Sequence, residues 1–396
     1  MMVEMQEHKE PKLRFPEFNR GWERLAIGKF IKEFREKSTV QDQYEVLTSA
    51  RAGLIRQKDY YENERITDRD NIGFNVLPPG YMTYRSRSDD RRFFFNENNL
   101  GITGIVSIYY PVFKIVDGDI GFFKNLMSVK EHYIGKFSVG TSQTVLSLKQ
   151  LSEIRLHFPV SPEQKKIAAF LGAVDEKLNG LRRKRDLLSD YKRGVMQQIF
   201  SQHIRFKRDD GSDFPDWKEM PLREVFDERS QRGNGNAPLL SVTVSRGILH
   251  SDEVERANSA SYDRSNYKTV CSGDIAYNSM RMWQGASGVS TLNGIVSPAY
   301  TVLKPRKNQI PKFWGYTFKL KKSIQLFQRF SQGLTSDTWN LKYPTLSLIR
   351  IKAPCEDEQR KIAEFLSALD AKIDAVADQI IQIETFKQGL LQQMFV

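Results

Sequence analysis

The chain is poor in the residues that build catalytic and metal centres. Its 396 residues hold 2 cysteines, Cys271 and Cys355, and 5 histidines (His8, His132, His157, His203, His250), and none of these stands at metal-ligand spacing from another. Two cysteines build no disulfide framework, and a reducing cytoplasm is the expected location. A run of about 18 apolar residues, the length a membrane helix needs, occurs nowhere. The start, Met1 to Arg14, is charged and has no apolar core, so we expect neither a secreted nor a membrane protein. There is no G-x-x-x-x-G-K-S/T phosphate loop, and Gly233-Asn-Gly235 lacks the strand, third glycine and helix of a dinucleotide fingerprint. Leu77-Pro-Pro-Gly80 lacks the Asn/Asp-Pro-Pro-aromatic pattern of amino-methyltransferases. Asp175-Glu176-Lys177 matches a nuclease Glu-x-Lys only superficially, since its repeat, Asp370-Ala371-Lys372, is expected on the polar side of a coil. Catalysis and a bound cofactor are therefore not expected. Acid is scarce too: 60 Lys+Arg face 48 Asp+Glu, a formal charge of +12. That field suits nucleic acid or an anionic surface, with a merely basic soluble protein as the other reading.

What the chain does have, it has twice. Glu163-Gln-Lys-Lys-Ile-Ala-Ala-Phe-Leu-Gly-Ala-Val-Asp-Glu-Lys-Leu178 returns 195 residues later as Glu358-Gln-Arg-Lys-Ile-Ala-Glu-Phe-Leu-Ser-Ala-Leu-Asp-Ala-Lys-Ile373. In the first copy Ile167, Leu171, Val174, Leu178, Leu181, Arg185, Leu188, Lys192, Val195 and Ile199 step by four and three; in the second, Ile362, Leu366, Leu369, Ile373, Val376, Ile380, Ile383, Lys387, Leu390 and Met394 do the same. A heptad seam of this length predicts two long helices, 161–200 and 357–396, and two matched seams in one chain most simply pair with each other as an antiparallel coiled coil. The first copy carries nine basic and five acidic residues, the second four and six, so opposite net charges favour that pairing. Ser161-Pro162-Glu163-Gln164 reads as a cap, a first-position proline and a capping box.

The segments before each helix also correspond. Trp22 and Trp217 stand 195 apart, each after a Phe-Pro, and Gly104 to Lys114 is echoed by Gly294 to Lys304. Short β-branched and aromatic runs between Gly, Pro, Asn and Ser predict strands with short helices. The expectation is an α+β fold of two similar globules, 13–158 and 212–354, in a pseudo-twofold plan. Base reading needs polar side chains on loops. Tyr84-Arg85-Ser86-Arg87-Ser88-Asp89-Asp90-Arg91-Arg92 and its counterpart Tyr277-Asn278-Ser279-Met280-Arg281-Met282-Trp283-Gln284 share a frame but not their polar residues. The candidates are Arg85, Ser86, Arg87, Arg91 and Arg92 in one globule, and Asn278, Ser279, Arg281, Trp283 and Gln284 in the other. A second matched pair is Thr141 and Ser142 with Lys149, against Thr335 and Ser336 with Lys342 and Tyr343. Solvated turns and helix caps are the alternatives for both pairs.

The twice-repeated E-Q-x-K-I-A-x-F-L-x-x-x-D-x-K segment, each copy closing a globule with a Pro/Trp edge, resembles the specificity subunit of Type I restriction-modification systems across nearly the whole chain. The resemblance implies two target recognition domains, each reading half of a split, asymmetric site in double-stranded DNA, joined by two antiparallel helices that fix the gap. It also implies two DNA adenine methyltransferase subunits holding S-adenosylmethionine, and restriction/translocase subunits using ATP and Mg. About 38 residues of helix span roughly 57 Å, comparable with about 17 base pairs. The reading from another class is a coiled-coil scaffold holding nucleic acid without sequence choice.

Overall fold

Each long helix starts with a buried carboxylate. The structure, a computed structural model, describes residues 9–51, 53–60, 70–233, 236–244, 246–254, 264–336 and 338–396, so His8, Asn234 and Gly235 lie outside the described residues. The first long helix is Ser161–Phe200 and the second Glu356–Met394. Near the start of the first, Arg14 grips the buried Glu163 with two bonds of 2.8 Å, and Trp22 Nε1 donates to the same carboxylate at 3.2 Å. Near the start of the second, Arg205 grips Glu358 at 3.2 and 2.8 Å. An ionised carboxylate tolerates such burial only with partners of this kind.

The glutamine beside each glutamate departs from the sequence expectation. Gln164 does not close a capping box on Ser161. Its amide donates to the Pro159 carbonyl at 3.0 Å, and its own carbonyl accepts the Asp119 N–H at 3.2 Å, tying the helix to the globule. Gln359 repeats this with Pro354 and Ile310. The capping box of the first globule is elsewhere, between Ser147 and Gln150 at the short helix Leu148–Glu153.

The chain divides into two units, one of 1–183 with 377–396, the other of 184–376. Each unit thus contains a globule, the first half of the helix that follows it and the second half of the other helix. In the first unit, strands Glu23–Ala26 and Arg155–Phe158 pair antiparallel and close the globule's ends together. A four-stranded sheet runs in the order Ile31–Phe34, Val112–Ile115, Met82–Thr83, Asn96–Glu97. A second sheet pairs Glu45–Ala50 in parallel with Gly104–Val106. In the second unit, Lys218–Pro221 pairs with Arg350–Ala353 as the closing ribbon. Its four-stranded sheet has the order Phe226–Glu228, Tyr300–Pro305, Ile275–Asn278, Ser287–Val289. A parallel bridge, Leu239 to Ile295, stands where the first unit has its parallel strands.

Every seam position named from the sequence is buried or half-buried. In the first unit Ile167 and Leu171 share a core with Leu390, Met394 and Phe395, and Phe395 packs on Trp22 and Phe122. In the second, Ile362, Leu366 and Leu369 share a core with Ile199, and Phe200 packs on Trp217 and Phe313. Lys387 pairs with Asp175 at 2.6 Å in the first unit, and Lys192 with Asp370 in the second. These are equivalent pairs, 195 apart in both members, and they fix an antiparallel register. The two aspartates face the other helix, not a free polar side as the sequence suggested.

Candidate nucleic-acid interface

In each unit a buried tyrosine launches the candidate loop. Tyr84 is fully buried and its hydroxyl donates to the Leu146 carbonyl at 2.9 Å; burial pushes that phenol's pKa well up. Beyond it Ser86 donates its N–H to Tyr109 O (3.0 Å) and accepts from Leu146 N (2.9 Å). After the buried Tyr277, Ser279 repeats both bonds, to Ala299 O (3.3 Å) and from Leu341 N (2.9 Å). One backbone frame therefore holds both loops.

The same frame brings together segments that the sequence offered as separate candidates. Arg87–Ser88 pairs antiparallel with Thr144–Val145, placing the 84–92 loop against the turn that carries Thr141 and Ser142. In the second unit Gln332 and Asn340 form a bridge, and Trp339 beside it meets the other loop at Trp283, rings edge-on at 5.3 Å. A glycine at positive φ precedes Thr141 in the first unit and follows Gln332 in the second, Gly140 at 124° and Gly333 at 143°. A Cβ there would sit 2.4 Å from Gln143 O and 2.6 Å from Thr338 O, so only glycine fits.

The candidate side chains divide by what they already touch. Arg85, Thr141, Ser142 and Lys149 are exposed, and Arg91 (φ +59°) is exposed with its guanidinium 3.5 Å from Gly140 O. Arg87 stacks over Tyr109 with its guanidinium carbon 3.7 Å from the ring centroid. Arg92 is held bidentately by Glu131 at 2.7 and 3.0 Å, and that bond raises its pKa. Arg92 therefore braces the loop. The hydroxyl of Ser88, more than the Arg51 charge 2.6 Å away, lowers the pKa of Asp90. In the second unit Arg281, Gln284, Thr335, Ser336 and Lys342 are exposed. Asn278 Oδ1 accepts from Met280 N at 3.0 Å, shaping the turn. Ser279 is buried with its hydroxyl 2.8 Å from that of Thr301, and the half-buried Tyr343 donates its hydroxyl to Phe226 O at 2.7 Å, so both are engaged in holding structure. Trp283 is half-buried, its indole donating to Met280 O.

Two residues at these loops escaped sequence reasoning, Tyr109 and Trp339. Tyr109 lies in the repeated 104–114 segment, but its counterpart is Ala299, so the repeat gave it no weight. Among the described residues no cluster of three or more His, Cys, Asp or Glu could hold a metal ion, and no helix is long and apolar enough to cross a membrane.

Known proteins share this plan. The family described as Type I restriction modification DNA specificity domain matches residues 29–187 and 215–385. The chain is 24% identical to the Type I restriction enzyme MjaVIII specificity subunit of Methanocaldococcus jannaschii, over 99% of this chain and 96% of that one. Its fold is similar to the Type I restriction-modification S subunit from M. genitalium, with a TM-score of 0.62 at 15% identity, covering 98% and 99% of the two chains. A second solved structure, a chain from a study of type I R-M assembly and conformational transition, gives 0.52 at 16% identity over 95% of this chain and 98% of that one. With both halves matched by the family and the whole length shared with a specificity subunit, the chain belongs to the Type I restriction-modification DNA specificity family.

Proposed function

We propose that the chain reads a split, asymmetric site in double-stranded DNA, one half with each unit, and directs partner methyltransferase and restriction subunits to it. The observation that carries this reading is the repeated loop frame with unrepeated side chains. Ser86 and Ser279 make the same backbone bonds, while Arg85, Arg87 and Arg91 stand in one loop and Asn278, Arg281 and Gln284 in the other. A shared scaffold with different polar tips is what two different half-sites require. The chain itself is non-catalytic on this reading. S-adenosylmethionine sits on two methyltransferase subunits, and ATP and Mg on the restriction/translocase subunits, in the cytoplasm. Tyr191 and Phe386, equivalent positions 195 apart, are 54% and 55% exposed, and two such rings suit two copies of one partner.

The test is duplex binding and methylation by the assembled complex with Arg85→Ala and Arg281→Ala. Each should relax preference in a different half-site, by roughly 1 to 3 kcal/mol per lost base contact. Changes at the same base positions would sink the two-reader model. An affinity that does not distinguish any duplex from competitor DNA would favour the scaffold reading instead.

A further inference from the structure

The first unit gathers cations beside its closing ribbon, where the second unit has an ion pair. An open pocket of about 290 Å³ is lined by Lys9, Arg24, Lys130 and Arg155, together with His157 and Val396. No carboxylate side chain lines it, and none of the four cations has an ion-pair partner among the described residues. On the closing ribbon Arg24 stands opposite His157, and Arg155 is the diagonal neighbour of Arg24 on the same face. In the second unit the corresponding ribbon places Glu219 opposite Lys352, with Arg350 as the diagonal neighbour, 3.8 Å from Glu219. One fold thus carries both versions: opposite charges facing each other, which stabilise a ribbon, and like charges gathered, which destabilise one. Lys130 is half-buried, and burial first, then the charge of Lys9, lowers its pKa. Four cations lining one pocket, Lys130 half-buried and Lys9, Arg24 and Arg155 exposed to solvent, are already placed for an anion that enters it.

We propose that this pocket binds a phosphate group, carried either by the backbone of bound nucleic acid or by a free phosphate compound. Two guanidinium forks and two ammonium groups around one space match a tetrahedral dianion, since each fork can take two oxygens and each lysine adds a point charge. The site does not depend on the base-reading loops. It would stand if their assignment failed.

The experiment is thermal unfolding of the full chain in rising inorganic phosphate, against sodium chloride at equal ionic strength. Wild type should show a saturable phosphate-specific rise in Tm. Arg24→Glu, which copies the arrangement of the second unit, should unfold no lower than wild type without phosphate, yet show an apparent phosphate affinity weaker by about tenfold or more, the loss of one charge-assisted bond. Lys130→Gln should weaken phosphate binding in the same way without reversing a charge. Duplex binding at several salt concentrations separates the two sources. A backbone phosphate in the pocket makes the salt slope of Arg24→Glu shallower by about one, whereas a free phosphate compound leaves it unchanged. Equal phosphate responses in wild type and both variants would overturn the site, as would a wild type that responds to phosphate only as it does to chloride together with an Arg24→Glu whose salt slope equals that of wild type.

Discussion

At Lys319 burial and hydrogen bonding pull in opposite directions. The ammonium donates to Val244 O at 2.8 Å and Gly285 O at 2.6 Å, clamping the turn after Met282–Gln284, and burial lowers its pKa from 10.5 to about 8. Between those two values the unfolded chain holds the proton that the folded chain has released, so stability rises as pH climbs from about 8 toward 10.5 and flattens outside that window. Lys319→Met should abolish that rise, read as the difference between the two proteins' denaturant midpoints across pH 7 to 11 at ~1-unit steps. A rise of the same size in the variant would assign it to other groups. At this scale the sequence was legible for residue type and not for residue duty. The run 84–92 is visibly basic, yet nothing in its spelling tells Arg85, exposed, from Arg92, spent on Glu131, because the partner lies 39 residues away. Likewise Ser279 reads as a polar loop residue until the sheet places Thr301 beside it.

Helix positions were far easier to read, because a seam is a local pattern with one physical cause. Residues repeating every 3.5 positions must share a stripe, and burying it is the only low-energy outcome. What the pattern could not give is where a helix is anchored, since that depends on side chains distant in sequence. The Glu163 carboxylate is the clearest instance: Arg14, 149 residues earlier, decides whether the first turn is docked on its globule. Arg14→Leu removes the guanidinium and leaves a buried carboxylate with the Trp22 indole alone. The expected loss is about 3 kcal/mol, seen as a lower urea midpoint, and Arg205→Leu should do the same through Glu358 in the second unit. Joint replacement of Arg14 by Leu and Glu163 by Gln should recover part of the loss, because no bare charge remains buried. A single variant as stable as wild type would mean that the Arg14 pair does not hold the first turn on its globule.

For the whole molecule, the exchange of helix halves changes how the proposed spacer must be tested. Lengthening only the first helix would move Ile199 and Phe200 relative to Trp217 and Phe313, while the second helix kept its old length. The two ends of the chain's packing would then demand different separations. Four residues added to both helices, after Arg183 and after Val376, fall where each passes from one unit to the other, and leave the Asp175–Lys387 and Lys192–Asp370 pairs within their own units. Four residues are close to one turn and keep the seam on nearly the same face, adding about 6 Å of helix. If the helices set the distance between half-sites, that length corresponds to about two base pairs. The matched variant, assembled with its methyltransferase partners, should shift its preferred gap by that amount in a duplex library varying only the spacer. The outer bases should be unchanged, because Arg85 and Arg281 sit on globules that the insertions do not enter. The single insertion should instead lower stability and blur the gap preference. A matched variant that methylates well at the old spacing would assign the gap to the partners' grip on the DNA, and leave the helices as a brace.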